Sequence, residues 1–322
     1  MLLKDKPLDH FWQLEIDQLD MEDLFITSFV IIDDLYRKYV PSCISNRRGP
    51  NSQCSDSEVL TISWIGEMFG IDSENSWLSF VRKNFSYMFP CIPERTRFNR
   101  RRRNLWKVTE LLRHKLLYYL PFGDVLIVDS LPVPICDFKR AHFSKNRLKT
   151  SYVNELRATY GHCATKSLST FLGFRIHLIT SQHGLPLAYA VANADINDRE
   201  VLPEMIDYLF NSIILGDKGY VSETLRKQLH QEYGITLLAQ KRDNQKKSYS
   251  HHLKVTINHL RKRIESTNNQ LEDQFNISRV LAKSHWGLLT RIADKFAAFT
   301  LGAFMNQCLG RPLMALKNLV FA

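Results

Sequence analysis

Three carboxylates stand where they could hold divalent cations. Asp129 ends the apolar run Val-Leu-Ile-Val, Asp217 follows the run Ile-Ile-Leu-Gly, and Glu265 lies in a basic helical pattern. Each supplies the hard oxygen ligands that Mg²⁺ prefers, and two such ions can activate a nucleophile and stabilise a leaving oxygen. The three residues therefore predict a metal-dependent phosphoryl-transfer site with two Mg²⁺ or Mn²⁺ ions.

Each carboxylate also has a plainer interpretation. Asp129 and Asp217 suit the turns that follow their strands, although an unpaired carboxylate beside a buried strand is costly. Glu265 stands four residues after Arg261, the spacing of a helical surface ion pair that contributes little. If Glu265 is not the third ligand, Glu272 on the same helical pattern is an alternative.

The charge of the chain favours a polyanionic partner. The 322 residues include 43 Lys and Arg against 33 Asp and Glu, which gives a formal net charge of +10. Clustered basic side chains bind phosphate backbones by releasing counterions, so a nucleic acid is a candidate partner, and an ordinary basic soluble protein is the alternative that composition alone leaves open. We see no secretory signal, no membrane-length apolar segment and no Cys-x-x-Cys pair. The expected location is a reducing cytoplasm.

Residues 1–120 are predicted to form an all-helical DNA-binding region. Ser55 and Glu58 form a capping-box pattern before one helix, and a long helix is expected to begin at Pro93. Short helices before an arginine-rich one are the outline of a helix-turn-helix DNA reader. The long helix carries Arg95, Arg97, Arg100, Arg101, Arg102 and Arg103. We expect these arginines to contact DNA phosphates, with a solvated charge run as the plainer alternative.

The pattern after residue 120 changes to strands. A strand ending at Asp129 precedes an antiparallel pair, a helix over 199–210, a strand before Asp217, a helix and a last strand. This is the element order of the ribonuclease-H-like fold, whose acidic residues converge at the carboxyl edge of a mixed sheet. We therefore expect an α/β, ribonuclease-H-like catalytic core over 121–322, with the amphipathic helix from Ser284 packed on the sheet.

The second strand of this core adds two candidate residues. Arg175 and His177 alternate onto one face, beside the point where Asp129 would emerge. We interpret Arg175 as a phosphate contact and His177 as an orienter of the attacking water or scissile phosphate, although a strand histidine is commonly a core residue. Asp198 is a supporting carboxylate, the third ligand if Glu265 points away, or a helix cap. Further predicted DNA contacts are Lys218, Lys241, Arg242, Lys246, Lys247, Arg261, Lys262 and Arg263.

An ordered set of sequence blocks resembles a known enzyme family. From about residue 50 to about residue 310 the blocks are CSDSEVL, IVDSLPVPICD, YGHCATKS, FLGFRIHLIT, GLPLAYAVANADINDRE, IILGDKGYVSE and RIESTNNQLE. Together they resemble the DDE transposases of bacterial insertion sequences, most closely the insertion-sequence-982 group. The resemblance implies a ribonuclease-H-like core in which Asp129, Asp217 and Glu265 bind the metal ions.

The resemblance also implies a reaction and an assembly. Such an enzyme cuts DNA at an element end, joins the freed 3′-hydroxyl to target DNA in the bacterial cytoplasm, and works as a dimer or larger assembly. Related families place a tyrosine and a lysine around the glutamate, whereas Asn258 and Glu272 stand there in this chain. A stand-alone metal-dependent nuclease and a catalytically inactive DNA-binding regulator are the alternative functions.

Overall fold

The described residues fall into two units of different architecture. The computed structural model describes residues 19–45, 52–137, 156–163, 170–239 and 249–320. One unit, called the sheet unit here, contains Pro121–Asp273 and Lys283–His285. The other, called the helical unit, contains Leu3–Leu120, Gln274–Ala282 and Trp286–Ala322.

The helical unit has helices and no strand among its described residues. Its helices are α1 (Met21–Tyr39), α2 (Ser42–Ser45), α3 (Asp56–Met68), α4 (Glu74–Asn84), α5 (Arg95–Asn104), α6 (Trp106–Leu117) and nearly all of α10 (His285–Cys308). The Asp20 carboxylate caps α1 by accepting a hydrogen bond from the Asp23 amide at 2.8 Å. The predicted capping box at Ser55 and Glu58 starts α3, because each side chain accepts from the other residue's amide.

The long helix predicted after Pro93 is interrupted once. α5 and α6 are separated at Leu105, which is fully buried. The Leu105 amide lies 3.1 Å from the carbonyl oxygens of both Arg101 and Arg102, so the turn tightens there. All six arginines of the predicted DNA-contacting helix therefore lie in α5.

The C-terminal helix belongs to the helical unit. The sequence pattern predicted that it packs on the sheet, within a catalytic core extending to residue 322. Instead it contributes to a buried charge cluster made of Glu67, Arg102, Arg291, Asp294 and Lys295. A buried carboxylate such as Glu67 requires cations beside it, and α10 supplies two of them. None of the described helices, α10 included, is both long and apolar enough to cross a membrane.

The sheet unit combines strands with three helices in its described residues. Its elements are β1 (Val125–Asp137), β2 (Thr159–His162), β3 (Thr170–Ser181), β4 (Pro186–Asn193), α7 (Asp198–Val201), β5 (Ile213–Gly216), α8 (Glu223–Tyr233), β6 (Thr236–Ala239) and α9 (His251–Asp273). The predicted mixed α/β class is confirmed, although β2 was not predicted. The helix predicted over 199–210 is only α7 and a 3₁₀ turn, since Pro203 has no amide hydrogen for an α-helical bond.

The sheet brings two of the predicted carboxylates near each other. Its strands follow the order β2-β3-β1-β5-β6, and β4 also pairs with β3. β3 is antiparallel to its three partners, whereas β1, β5 and β6 run parallel. The parallel register pairs Ile127 with Leu215. Asp129 lies two residues after this last paired position of β1, and Asp217 lies two residues after that of β5, close enough for the Asp217 carboxylate to raise the pKa of Asp129.

α9 packs on the sheet close to these positions. Its Ile257 and Ile264 form a buried cluster with Ile127 of β1 and Leu215 of β5. Thr267 Oγ1 also donates a hydrogen bond to the Gly184 carbonyl oxygen at 2.7 Å. These contacts determine that the face of α9 that carries Ile257 and Ile264 packs against β1 and β5.

Candidate active site

Asp129 is held by two donors from different parts of the sheet unit. Its Oδ1 accepts a hydrogen bond from the Ser130 amide at 2.9 Å, and its Oδ2 accepts one from Asn268 Nδ2 at 3.0 Å. Asn268 reaches Asp129 from α9, where Ile264 and Thr267 are buried. Because each carboxylate oxygen is oriented by a donor, the remaining lone pairs have a defined direction.

Asp217 directly follows β5, and its two carboxylate oxygens have different surroundings. Its Oδ1 accepts a hydrogen bond from the Gly219 amide at 2.7 Å and so caps the 3₁₀ turn Lys218–Tyr220. No hydrogen bond from a described residue reaches its other oxygen, Oδ2. The turn-capping interpretation is therefore correct for one oxygen and leaves the second available for a ligand.

The electrostatics of Asp129 suit a cation. Burial, together with the carboxylates of Asp217 and Asp198, raises the pKa of Asp129 to about 6. The Ser130 amide and Arg261 lower that pKa without cancelling the effect. A divalent cation would offset both the burial and the repulsion between the carboxylates. Since the donors are hard carboxylate oxygens, the site fits Mg²⁺ or Mn²⁺.

Arg175 and His177 lie on one face of β3, as predicted, and both approach Asp198. Arg175 Nη1 is 3.6 Å and His177 Nδ1 is 3.5 Å from Asp198 Oδ1. Arg175 also donates to Ser130 Oγ at 3.3 Å and to the His162 carbonyl oxygen at 2.9 Å. His177 is 1% exposed, and burial with the nearby Arg175 lowers its pKa to about 4. It is therefore a neutral, buried residue near pH 7.

Glu265 is not gathered with the two aspartates among the described side chains. It is exposed on α9, one turn before Asn268. In the part of the chain that the structure describes, no group of three or more His, Cys, Asp and Glu side chains is arranged to hold a metal ion. Glu272 is half-buried further along α9. Of the three predicted carboxylates, the structure thus brings those of Asp129 and Asp217 near each other but not that of Glu265.

The arginines of α5 divide into accessible and structural side chains. Three are exposed, namely Arg95, Arg97 and Arg100, and two are half-buried, namely Arg101 and Arg103. Arg102 is 5% exposed and forms ion pairs with Glu67 and Asp294, so it is a structural residue and not a DNA contact. Arg101 is half-buried and pairs with Asp56, Nη2 to Oδ1, at 2.7 Å. The accessible basic surface of α5 is therefore smaller than its sequence suggests.

The basic residues predicted near the carboxylates are only partly described. Lys218, Lys262 and Arg263 are exposed, and Arg261 is half-buried close enough to lower the pKa of Asp129. The remaining predicted contacts lie outside the described residues: Lys241, Arg242, Lys246 and Lys247.

Two residues of the site escaped the sequence prediction. Asn268 gave no chemical signal, although it stands four residues after Ile264 and hence on the helix face that packs on the sheet. Tyr220 is 1% exposed, and its hydroxyl has no hydrogen-bond partner among the described residues. Burial and the carboxylates of Asp198, Asp129 and Asp217 raise the Tyr220 pKa well above its ordinary range. Its hydroxyl therefore stays protonated beside the acidic residues.

Comparisons with known proteins match the region that contains these residues. Residues 122–285 match the family model described as "Transposase DDE domain". Among solved structures, the cryo-EM structure of a piggyBac transposase synaptic complex with hairpin DNA aligns with a TM-score of 0.47 at 12% sequence identity, over 97% of this chain and 80% of that chain. No curated protein sequence matches significantly.

Proposed function

Because the chain belongs to the transposase DDE domain family, we propose that it cuts DNA at the ends of an insertion sequence and transfers the freed 3′-hydroxyl into target DNA. One observation carries this proposal: Asp129 lies on β1 and Asp217 directly follows the parallel β5, close enough for the Asp217 carboxylate to raise the pKa of Asp129, and both lie within the matched residues. Two carboxylates close together, one on a strand and one directly after a neighbouring parallel strand, suit metal-dependent phosphoryl transfer on DNA.

The sheet topology supports a ribonuclease-H-like core. β4, β3 and β1 form an antiparallel set, followed across the sheet by β5 and β6, both parallel to β1. This is the order expected when three strands are followed by two helix–strand units. The matched residues, 122–285, contain all of these strands.

Asp129 and Asp217, together with Glu265, are the proposed ligands of two divalent cations. Asp129 and Asp217 fit because their carboxylates crowd one another, which a cation would relieve. Glu265 lies on the helix that contacts Asp129, one turn from Asn268. It is also the glutamate to which the family resemblance points.

The chain's own residues prepare the site for this reaction. Asn268 and the Ser130 amide orient Asp129, and the Gly219 amide orients Asp217. Bound divalent cations would supply the positive charge that stabilises the attacking and leaving oxygens. The exposed Lys218 next to Asp217 is placed to contact a DNA phosphate. No covalent protein–DNA bond is needed, since the 3′-hydroxyl is the nucleophile of the joining step.

The test is a cleavage and joining assay with the purified full-length protein. Labelled duplexes from the DNA flanking its gene are incubated with Mg²⁺ or Mn²⁺ and with a target plasmid. A 3′-hydroxyl end and a joined product are expected, both dependent on the metal. Cleavage without joining would indicate a stand-alone nuclease, and binding without cleavage would indicate a DNA-binding regulator.

Double-stranded DNA and a second copy of the chain are the proposed partners. Two element ends must be held together for joining, so a homodimer on DNA is the simplest assembly. In the helical unit, the exposed Arg95, Arg97 and Arg100 are the proposed phosphate contacts. Their positive charge requires no sequence-specific contact to bind DNA.

Replacing Arg95, Arg97 and Arg100 together by alanine is expected to lower the affinity for DNA. It should also make that affinity less dependent on the salt concentration. Each lost phosphate contact should reduce the slope of log K against log salt by about 0.9. Fluorescence anisotropy at several salt concentrations measures this slope. Lys227→Ala, at an exposed position of α8, is the control and should change the slope little. An unchanged slope in the triple variant would exclude these arginines as phosphate contacts.

Replacing Asn268 by alanine is expected to slow cleavage by about 10- to 100-fold, because losing a residue that orients a metal ligand typically costs that much. DNA affinity should not change, since Asn268 acts through Asp129. The next residue, Asn269, is exposed, and Asn269→Ala is the matched control. Single-turnover rates measure both variants, and equal rates would contradict the positioning role of Asn268.

A further inference from the structure

A further carboxylate, Asp198, stands beside the proposed metal ligands. It is the first residue of α7, but the side chain that caps this short helix is that of Asn197, which accepts a hydrogen bond from the Arg199 amide. Capping therefore does not explain Asp198. Its side chain is 17% exposed, and one of its oxygens lies near Gly219, as does Asp217 Oδ1.

The two oxygens of Asp198 have different surroundings. Oδ1 lies 3.6 Å from Arg175 Nη1 and 3.5 Å from His177 Nδ1. Oδ2 faces Gly219: a Cβ there would lie 3.2 Å from this atom and 2.9 Å from Asp217 Oδ1. Because glycine has no side chain, Gly219 leaves room for the carboxylates of Asp198 and Asp217 to lie close together. Asp198 Oδ1 therefore lies beside Arg175 and His177 but has no hydrogen-bond partner among the described residues, and neither ring nitrogen of the buried His177 has one.

This arrangement leaves negative charge only partly balanced. The guanidinium of Arg175 lies near Asp198 but donates hydrogen bonds to Ser130 Oγ and to the His162 carbonyl oxygen, so it only partly balances the charge of Asp198. Two carboxylates that lie close together in a partly buried site repel each other unless a cation lies between them. The buried Tyr220 hydroxyl, which has no hydrogen-bond partner among the described residues, adds a further polar group at the same place. Charge and unpartnered polar atoms together indicate a bound ligand.

We propose that Asp198 is a fourth carboxylate of the active site and helps Asp217 to hold a divalent cation, with Arg175 and His177 as the residues that position it. This inference rests on the proposed function, because it concerns the same metal site. It assigns to Asp198 a direct role in binding the ion. A purely structural role, such as holding Arg175, would leave metal affinity unchanged.

The test measures Mn²⁺ binding to the full-length protein without DNA, by isothermal titration calorimetry. Asp198→Asn is expected to weaken binding by more than about a hundredfold, which exceeds the roughly 10- to 100-fold loss that removing an outer partner of a metal ligand typically causes. Asp195→Asn is the matched control. Asp195 is exposed three residues earlier, and its Oδ1 accepts a hydrogen bond from Thr159 Oγ1 at 2.8 Å. This control should bind Mn²⁺ as the unmodified protein does.

Asp217→Asn separates failure of this inference from failure of the proposed function. If Asp217→Asn loses Mn²⁺ affinity and Asp198→Asn does not, the role of Asp198 is overturned and the proposed metal site stands. If neither substitution changes Mn²⁺ binding, the metal site itself fails. The Mg²⁺ concentration for half-maximal cleavage should rise by the same factor as the Mn²⁺ dissociation constant in Asp198→Asn.

A second variant covers the case in which Asp198→Asn lowers the melting temperature without metal. Asp198→Glu keeps a negative charge opposite Arg175 and His177 but moves the carboxylate by one bond. It is expected to melt as the unmodified protein does and to bind Mn²⁺ more weakly. Unchanged Mn²⁺ affinity in Asp198→Glu would overturn the inference.

Discussion

Asp217→Asn is expected to abolish DNA cleavage and joining while leaving DNA affinity unchanged. The substitution keeps the shape of the side chain and the oxygen that accepts from the Gly219 amide. It removes the charge that a divalent cation needs beside Asp129. Metal ions contribute several kcal/mol of transition-state stabilisation, and each 1.4 kcal/mol is about tenfold in rate. The rate should therefore fall by about a thousandfold or more.

Single-turnover cleavage of a labelled element end measures this loss, and anisotropy measures DNA affinity in parallel. Asp207→Asn is the matched control, because Asp207 is an exposed aspartate of the same unit. It should cleave at the unmodified rate. Cleavage by Asp217→Asn within tenfold of the unmodified rate would show that the reaction does not use this carboxylate.

Glu67→Gln is expected to destabilise the helical unit strongly. Glu67 is 2% exposed, and its oxygens pair with Arg102 at 2.6 Å, with Arg291 at 3.0 Å and with Lys295. Burial alone would raise the Glu67 pKa, but these three cations outweigh it and hold that pKa well below its ordinary range. Glutamine keeps the volume and removes the charge, so the cations lose their partner. Breaking a buried pair in this way costs about 3–5 kcal/mol.

Thermal unfolding followed by circular dichroism measures this loss, which should lower Tm by on the order of 10 °C. Asp33→Asn is the control. Asp33 forms an ion pair with the largely exposed Arg37 of α1, and such pairs contribute little. A Glu67→Gln variant that melts like the control would show that the buried charge cluster does not stabilise the unit.

The pH dependence of stability provides an independent check on Glu67. Because its pKa is lower in the folded than in the unfolded chain, ionised Glu67 stabilises the fold at every pH above its ordinary value near 4.5. That contribution is lost only as the pH falls toward the lowered pKa. The difference in Tm between the unmodified protein and Glu67→Gln should therefore be constant from about pH 6 to 8 and narrow in acid.

Features that depend on neighbours in the chain could be predicted from the sequence. Asp129 and Asp217 were found because each follows a short apolar run, and such a run predicts a buried strand. Ser55 and Glu58 were found because a capping box needs only residues three apart.

Features that depend on packing between distant segments were decided only by the tertiary structure. Arg102 looks like one of six equivalent arginines, yet Asp294, 192 residues away, makes it a buried structural residue. Asn268 has no chemical signal until α9 packs against β1 and aims it at Asp129. Asp198 approaches Asp217 only when Gly219 leaves room for both. Periodicity and capping act over a few residues, whereas these roles depend on which faces meet, and that is set by burial across the whole fold.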